Sequence, residues 1–258
     1  TNPLELDGVL VDEASMVDVQ LASHLVAAVR SGARLVLVGD ADQLPPVGPG
    51  TVLADLLKVP EVTSVRLTEV FRQAAESAIV RGAYDVLRGE VPRSSPPRAP
   101  TAEGEGPRAP TGELFLVRCA GGEQAAKLLV ETVARRIPRS FGLDPMRSVQ
   151  VLVPTHRGPL GAQKLNEALQ AALNPDGTRG RRGFAVGDKV MQLRNDYDLD
   201  VSNGDVGIIE QLDDKTVTVR MEGREVRYAD DAVDNLALAY SATIHKAQGS
   251  QWDAVQVF

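Results

Sequence analysis

"GVLVDEASMVDVQLASHLVAAVRSGARLVLVGD", Gly8 to Asp40, decides the fold. Two short apolar runs, GVLV and RLVLVG, flank a segment whose apolar residues recur at helical spacing. A strand, an amphipathic helix and a second strand make a parallel pair with its crossover helix. Both runs are apolar at every position that matters, so both faces of each strand are expected to be buried. Each run also ends abruptly in acid, at Asp12-Glu13 and at Asp40. Ligands of open α/β sheets sit beyond the carboxyl ends of their strands, which places these acids at a site. The second strand continues into "LVLVGDADQLPPVGPG", Leu35 to Gly50. Pro45 and Pro46 fix φ, and with Gly48 and Gly50 they hold the loop in one shape. Movement at Gln43 would then be passed to whatever the loop touches.

Outward from this stretch the alternation continues with a short helix TVLADLL (51–57), a strand SVRLTEV (64–70) and a helix ESAIVRGAYDVLRG (76–89). The next segment is dense in Pro, Gly, Ser and Thr without apolar periodicity, and it is expected to be a flexible linker over 92–112. A second α/β unit follows: strand ELFLVRC (113–119), helix GEQAAKLLVETVARRI (122–137), strand SVQVLVPT (148–155) and helix PLGAQKLNEALQAAL (159–173). From Phe184 short strands alternate with turn dipeptides such as Asn203-Gly204 and Glu222-Gly223, the pattern of a small antiparallel barrel. The final stretch, from Leu236, returns to α/β rhythm. The expected organisation is therefore 1–91 as part of a first α/β domain, 92–112 as linker, 113–183 and 236–258 as a second, and 184–235 as a barrel inserted in it.

Composition excludes several classes. The 258 residues are 43% hydrophobic and 24% charged, without an apolar run long enough to span a bilayer. Cys119 is the sole cysteine, and His24, His156 and His245 are scattered without zinc-ligand spacing, which suits a reducing cytoplasm. The net charge of -7 is uneven: Arg135 to Arg194 holds eleven Lys or Arg against four Asp or Glu. That basic stretch either solvates a surface or meets a polyanion.

The acids suggest phosphoryl transfer. Asp12 could hold a hydrated Mg²⁺ while Glu13 orients or deprotonates an attacking water. An acidic pair after an apolar strand also occurs as a plain turn. On the neighbouring strand, Gln43 is placed to feel a γ-phosphate, although a Pro-rich turn can simply end a strand. Tyr197 and Trp252 could stack on bases, but packing in the core or barrel is the favoured expectation.

Together, VLVDEAS, LVLVGDADQLPPVGPG, LTEVFRQ (67–73) and YSATIHKAQGSQWD (240–253) resemble motifs II, III, IV and V of superfamily 1 helicases, in that order and near that spacing. They look most like the RecD-like branch, which moves 5′ to 3′ on single-stranded DNA. The resemblance covers nearly the whole chain and implies two RecA-like parallel-sheet domains, the first partial, with an SH3-like β-barrel inserted in the second. It implies ATP and Mg²⁺ as cofactors, with Asp12 and Glu13 at the metal and Glu13 activating water. By the same resemblance Gln43 senses the γ-phosphate, Arg72 is an arginine finger, and Gln248 and Gly249 bear on the nucleotide. DNA contacts are implied for Pro45, Pro46 and Val47, for Thr155, His156 and Arg157, and for Thr243, His245 and Lys246. A helix N-terminus after Arg157 would form a phosphate cradle.

Expected partners are single-stranded DNA and single-/double-strand junctions, with single-stranded DNA-binding protein or other repair factors beside them. The expected setting is a bacterial cytoplasm, at the nucleoid, with the protein acting as a monomer and not at a membrane. The phosphate loop G-x-x-x-x-G-K-[ST] does not occur in these residues. The chain is therefore expected to be a fragment that is inactive by itself. Two alternatives stay open: a binding module for single strands or a partner that has lost its phosphate loop, and a 3′–5′ UvrD-like helicase.

Overall fold

A computed structural model describes residues 3–67, 76–95, 112–158, 160–177 and 180–258. The chain divides into two compact units, Thr1–Ser95 and Pro96–Phe258.

In the first unit, β1 (Gly8–Val11) pairs in parallel with β2 (Arg34–Leu37), Val11 opposite Leu37. The crossover helix α1 (Val19–Ala28) starts where Asp18 accepts a hydrogen bond from the Leu21 amide at 2.7 Å, which satisfies one of the orphan donors of the first turn. Helices α2 (Val52–Leu56) and α3 (Ala78–Leu87) follow. Only one face of the β1–β2 pair is covered, by a small core of Ala14, Val17 and Leu53 packed with Val11, Ala22 and Leu37. Leu10 and Val36 on the other face are 67% and 47% exposed. The expectation of burial on both faces is therefore not met, because among the described residues no element packs on that second face. Residues 64–67 of the expected third strand are irregular, with Leu67 92% exposed; 68–70 lie outside the described residues.

In the second unit, α4 (Gly122–Glu131) runs through a π turn (Thr132–Arg136) into α5 (Ile137–Phe141). Pro138 explains the turn. It lacks an amide and crowds the preceding turn, and the helix widens so that the Ile137 amide reaches back to the Thr132 carbonyl. Next come β3 (Val149–Val153) and α6 (Ala162–Leu173). An antiparallel sheet is then built from β4 (Lys189–Gln192), β5 (Val206–Leu212), β6 (Thr216–Met221), β7 (Arg224–Ala229) and β8 (Leu236–Leu238), in the order β7-β6-β5-β4-β8. Its core is continuous, from Phe184 and Val190 through Ile209, Val219 and Tyr228 to Leu236. Finally β9 (Ser241–Thr243) and β10 (Ala254–Val257) flank β3 in an all-parallel sheet, β10-β3-β9. The five-stranded sheet is thus an insertion between β3 and β9, and it keeps β8, just past the expected boundary at 235. The expected strand at 113–119 is irregular, with Val117 63% exposed.

A buried polar joint locks the two sheets of this unit together. Asp188, fully buried, accepts from Gln170 Nε2 at 2.6 Å, Asn174 Nδ2 at 2.8 Å, the Ala185 amide at 2.8 Å and the Tyr240 hydroxyl at 2.8 Å. Burial and this carboxylate push the Tyr240 hydroxyl well above its usual pKa. Next to it, buried Lys189 donates to the Val149 carbonyl at 3.0 Å, and desolvation pulls its pKa down to about 8.

Candidate functional site

In the first unit the acids stand where the sequence places them, at the carboxyl ends of β1 and β2. The strand ends are stitched together: the Val38 amide donates to Val11 and the Ala14 amide to Val38, both at 2.8 Å. The crossing is tight, since a Cβ on Gly39 would lie 2.9 Å from the Ser15 nitrogen and 3.0 Å from that of Ala14. Between these anchors Glu13 is forced into the left-handed region, φ 52° and ψ 37°. Such a conformation costs a non-glycine residue on the order of 1–2 kcal/mol, and it survives only where the surroundings impose it. It leaves both the Asp12 and Glu13 side chains exposed, while the Asp12 Oδ1 accepts the Glu13 amide at 2.8 Å.

After β2, Asp40 organises the next turn, its Oδ1 accepting the Asp42 amide at 3.0 Å and its carbonyl the Gln43 amide at 3.2 Å. Gln43 and Pro45 are exposed, Pro46 is half-buried and Val47 is 88% exposed. The end of the loop lies on the start of α1, where the Val19 amide donates to the Pro49 carbonyl at 2.9 Å. Arg72 lies outside the described residues.

Among the described residues no group of three or more His, Cys, Asp or Glu side chains is arranged to hold a metal. Two exposed carboxylates suit Mg²⁺, which keeps several waters and is commonly held by one or two carboxylates together with substrate phosphates. The donor set fits that ion, whereas an all-protein cage would need more ligands.

In the second unit the parallel register sets Val153 opposite Thr243. The segments Thr155–Arg157 and Thr243–Lys246 therefore leave the same end of one sheet. Asn166 on α6 fixes their spacing, donating to the Ser241 carbonyl at 2.9 Å and accepting the Ser241 amide at 2.8 Å. Thr155, His156, Arg157, His245 and Lys246 are exposed, and Thr243 and Gln248 are half-buried. Partial desolvation lowers the pKa of Lys246. Gly249 takes φ +77°, a conformation glycine adopts without penalty.

The phosphate cradle expected at the start of α6 is filled from within. The Ala162 and Gln163 amides donate to the carbonyls of Thr155 and His156, at 3.1 and 3.2 Å. What remains open there are the exposed side chains of Thr155, His156 and Arg157. The basic stretch is also thinner than its count suggests, since Arg136, Arg147 and Arg182 pair with Glu131, Asp144 and Asp234, and Lys189 is buried.

Tyr197 corrects the packing expectation. It is 88% exposed at the tip of a hairpin closed by reciprocal bonds between Asp196 and Val201 at 2.8 and 3.0 Å. Asn195 ties this hairpin to the next turn by accepting the Asn203 amide at 2.8 Å. In that turn a Cβ on Gly204 would lie 3.9 Å from the Lys246 carbonyl, so the inserted sheet adjoins the His245–Lys246 segment. The signal available in the sequence was the polar company of Tyr197 in NDYDLD, which no core hairpin would carry. Trp252 is half-buried.

Comparison with known proteins agrees with this arrangement. Residues 165–222 match the family described as ATP-dependent RecD-like DNA helicase SH3 domain, and residues 4–95 match an AAA domain. The chain is 37% identical over 256 residues to the ATP-dependent RecD2 DNA helicase of Deinococcus radiodurans, covering 98% of this chain and 32% of that protein. It is 34% identical to the RecBCD enzyme subunit RecD of Mycobacterium tuberculosis, covering 99% of this chain and 45% of that protein. The chain thus spans less than half the length of these relatives. Its fold is similar to that of the Pif1 helicase from Bacteroides solved with ADP-AlF3 and ssDNA, with TM-score 0.59 and 21% identity over 98% of this chain and 64% of that one. Two parallel-sheet units, the second carrying an SH3-like insert, and identities above 30% across almost every residue place the chain in the RecD-like helicase family.

Proposed function

We propose that this chain is part of an ATP-dependent DNA helicase that translocates 5′ to 3′ on single-stranded DNA and unwinds duplex, driven by Mg-ATP hydrolysis. The observation that carries the reading is Glu13, held in a left-handed conformation beside Asp12 at the carboxyl end of a parallel sheet. Asp12, with Glu13 beside it, would hold Mg²⁺, whose charge would offset that of the nucleotide phosphates. Glu13 would take the proton of the attacking water, and Gln43 would orient toward the γ-phosphate. Arg72 would neutralise charge developing on the transferred group, a role worth about 10³–10⁵ in rate in enzymes that use one. Gln248 and Gly249 are proposed to bear on the nucleotide.

Single-stranded DNA would be gripped by Pro45, Pro46 and Val47 on the first unit and by Thr155, His156, Arg157, Thr243, His245 and Lys246 on the second. Exposed Tyr197 would add a stacking face. Contacts of this kind go to phosphates and base faces, so no sequence preference is expected. The segmentation 1–91, 92–112, 113–183, 184–235 and 236–258 is proposed with this function, as are single-/double-strand junctions as substrates, other repair factors as partners, and a bacterial cytoplasmic setting. No helix among the described residues is long and apolar enough to cross a membrane.

The test is strand displacement by the natural full-length protein on duplexes carrying a 5′ or a 3′ single-stranded tail. ATP-dependent unwinding of the 5′-tailed substrate alone supports the proposal. Unwinding of only the 3′-tailed substrate would reverse the polarity, and single-strand binding without ATP turnover would leave a binding module.

A further inference from the structure

Two routes leave the acidic end of β1. One crosses to β2 and enters the 40–50 loop at Asp40. The other follows the chain from Glu13 through the single turn of Ala14–Met16 to Asp18 and Val19 at the start of α1. The second route ends on the far side of the same loop, because Gly48, Pro49 and Gly50 lie directly on Asp18 and Val19. Three observations define that contact. A Cβ on Gly48 would lie 1.8 Å from Asp18 Oδ2 and 2.9 Å from Asp18 Cβ. A Cβ on Gly50, itself at φ +88°, would lie 2.4 Å from Val19 Cγ2. Between them the Val19 amide donates to the Pro49 carbonyl at 2.9 Å. The Asp18 carboxylate cannot swing away to make room at no cost, since its Oδ1 holds the Leu21 amide as the cap of α1.

We infer that the seating of Gly48–Gly50 on the start of α1 at Asp18 and Val19 is a positioning clasp that ties the Glu13 turn to the loop bearing Gln43 and Pro45–Val47, so that a shift at the acids moves that loop as one piece. The inference rests on the function proposed above for those residues, but the clasp itself is a contact that can be broken without touching any of them. A loop attached only through β2 would pivot about Asp40. A loop held at both ends, stiffened between them by Pro45, Pro46 and Pro49, has to follow its anchors. A glycine is required at 48 for this reason of space, not for a left-handed backbone.

The test compares the natural full-length protein with Gly48→Ala, Asp18→Gly and the double variant. Glycine is an acceptable cap, so Asp18→Gly keeps the start of α1 while vacating the space a Cβ at 48 needs. Two readouts are used: stimulation of ATP hydrolysis by single-stranded DNA, and hydrogen exchange at the Val19 amide, which needs neither nucleotide nor DNA. The expected result is that Gly48→Ala speeds exchange at Val19 and lowers DNA stimulation by about 10- to 100-fold, as displacements near 1 Å do in positioned sites, with DNA-independent hydrolysis retained. The double variant restores both. Unchanged stimulation in Gly48→Ala, or no rescue in the double variant, overturns the clasp as a coupling element. If the wild-type protein shows no stimulation, the proposed function fails, and unchanged Val19 exchange in Gly48→Ala would separately overturn the contact.

Discussion

The two units hold their candidate residues by different means. In the first, Asp12, Glu13 and Gln43 rest on backbone geometry over a core of three buried side chains, Ala14, Val17 and Leu53. In the second, Thr155 to Arg157 and Thr243 to Lys246 rest on buried side-chain networks, with Asn166 gripping the Ser241 backbone and Asp188 satisfying four donors. A site held by tight turns can shift when a ligand arrives, because few packed side chains resist it. A site held by satisfied buried polar groups is rigid, because each group loses its partners if it moves. Under the proposed function, the responsive role falls to the first unit and the rigid platform to the second.

The comparison is broken most forcefully at Asp188. Asp188→Ala removes the shared acceptor of four donors, leaving the buried Ala185 amide and Tyr240 hydroxyl unpaired while Gln170 and Asn174 keep the Gly183 and Val186 carbonyls, and is expected to destabilise the second unit by about 3–5 kcal/mol, read by urea denaturation. A loss below about 1 kcal/mol would mean that the joint does not lock the sheets. Asn166→Ala removes both bonds to Ser241 and is expected to cost about 2–3 kcal/mol, with single-strand affinity falling because the Thr243 segment loses its spacing.

Lys189 sharpens the same contrast through pH. Its pKa lies at about 8 in the folded chain against 10.5 for the free side chain. The unfolded chain therefore binds the proton more tightly, and the buried ammonium opposes folding below pH 8. Between pH 8 and 10.5 that penalty disappears. The shift corresponds to a gain on the order of 3 kcal/mol, seen as a rise in stability with pH that Lys189→Met lacks. A parallel profile for the two proteins would contradict a desolvated lysine.

In the first unit the expected effect is smaller and opposite in sign. Glu13→Gly should remove the left-handed strain and stabilise the unit by about 0.5–1 kcal/mol while abolishing turnover, whereas Glu13→Ala should bring no gain. Equal stabilities would show that the turn is not strained.

What the sequence made legible follows the same division. The β1-α1-β2 alternation and the acids at the strand ends are local patterns, and they appear in the fold at the expected residues. The turn dipeptides of the inserted sheet were also readable, because Asn203-Gly204 and Glu222-Gly223 carry their own backbone preference. SVRL and ELFLVRC read as strands on apolar content, yet their described residues lie in no sheet, since a strand is defined by its neighbours and not by its own composition. The Asp188 joint was hidden because its members come from the end of α6, the turn before β4 and the β8–β9 connection, and no spacing links them. Tyr197 was misplaced because aromatic residues within a β-rich segment are usually packed, and that expectation outweighed its polar NDYDLD setting.

The most direct test of the central claim is ATP hydrolysis by the natural full-length protein and its Glu13→Gln variant, with and without single-stranded DNA, alongside the single-strand affinity of each. The account predicts DNA-stimulated turnover in the wild type, and in the variant a loss of turnover with affinity for single strands preserved. Normal turnover by Glu13→Gln would contradict it, removing the residue that anchors the assignment from the chemistry altogether.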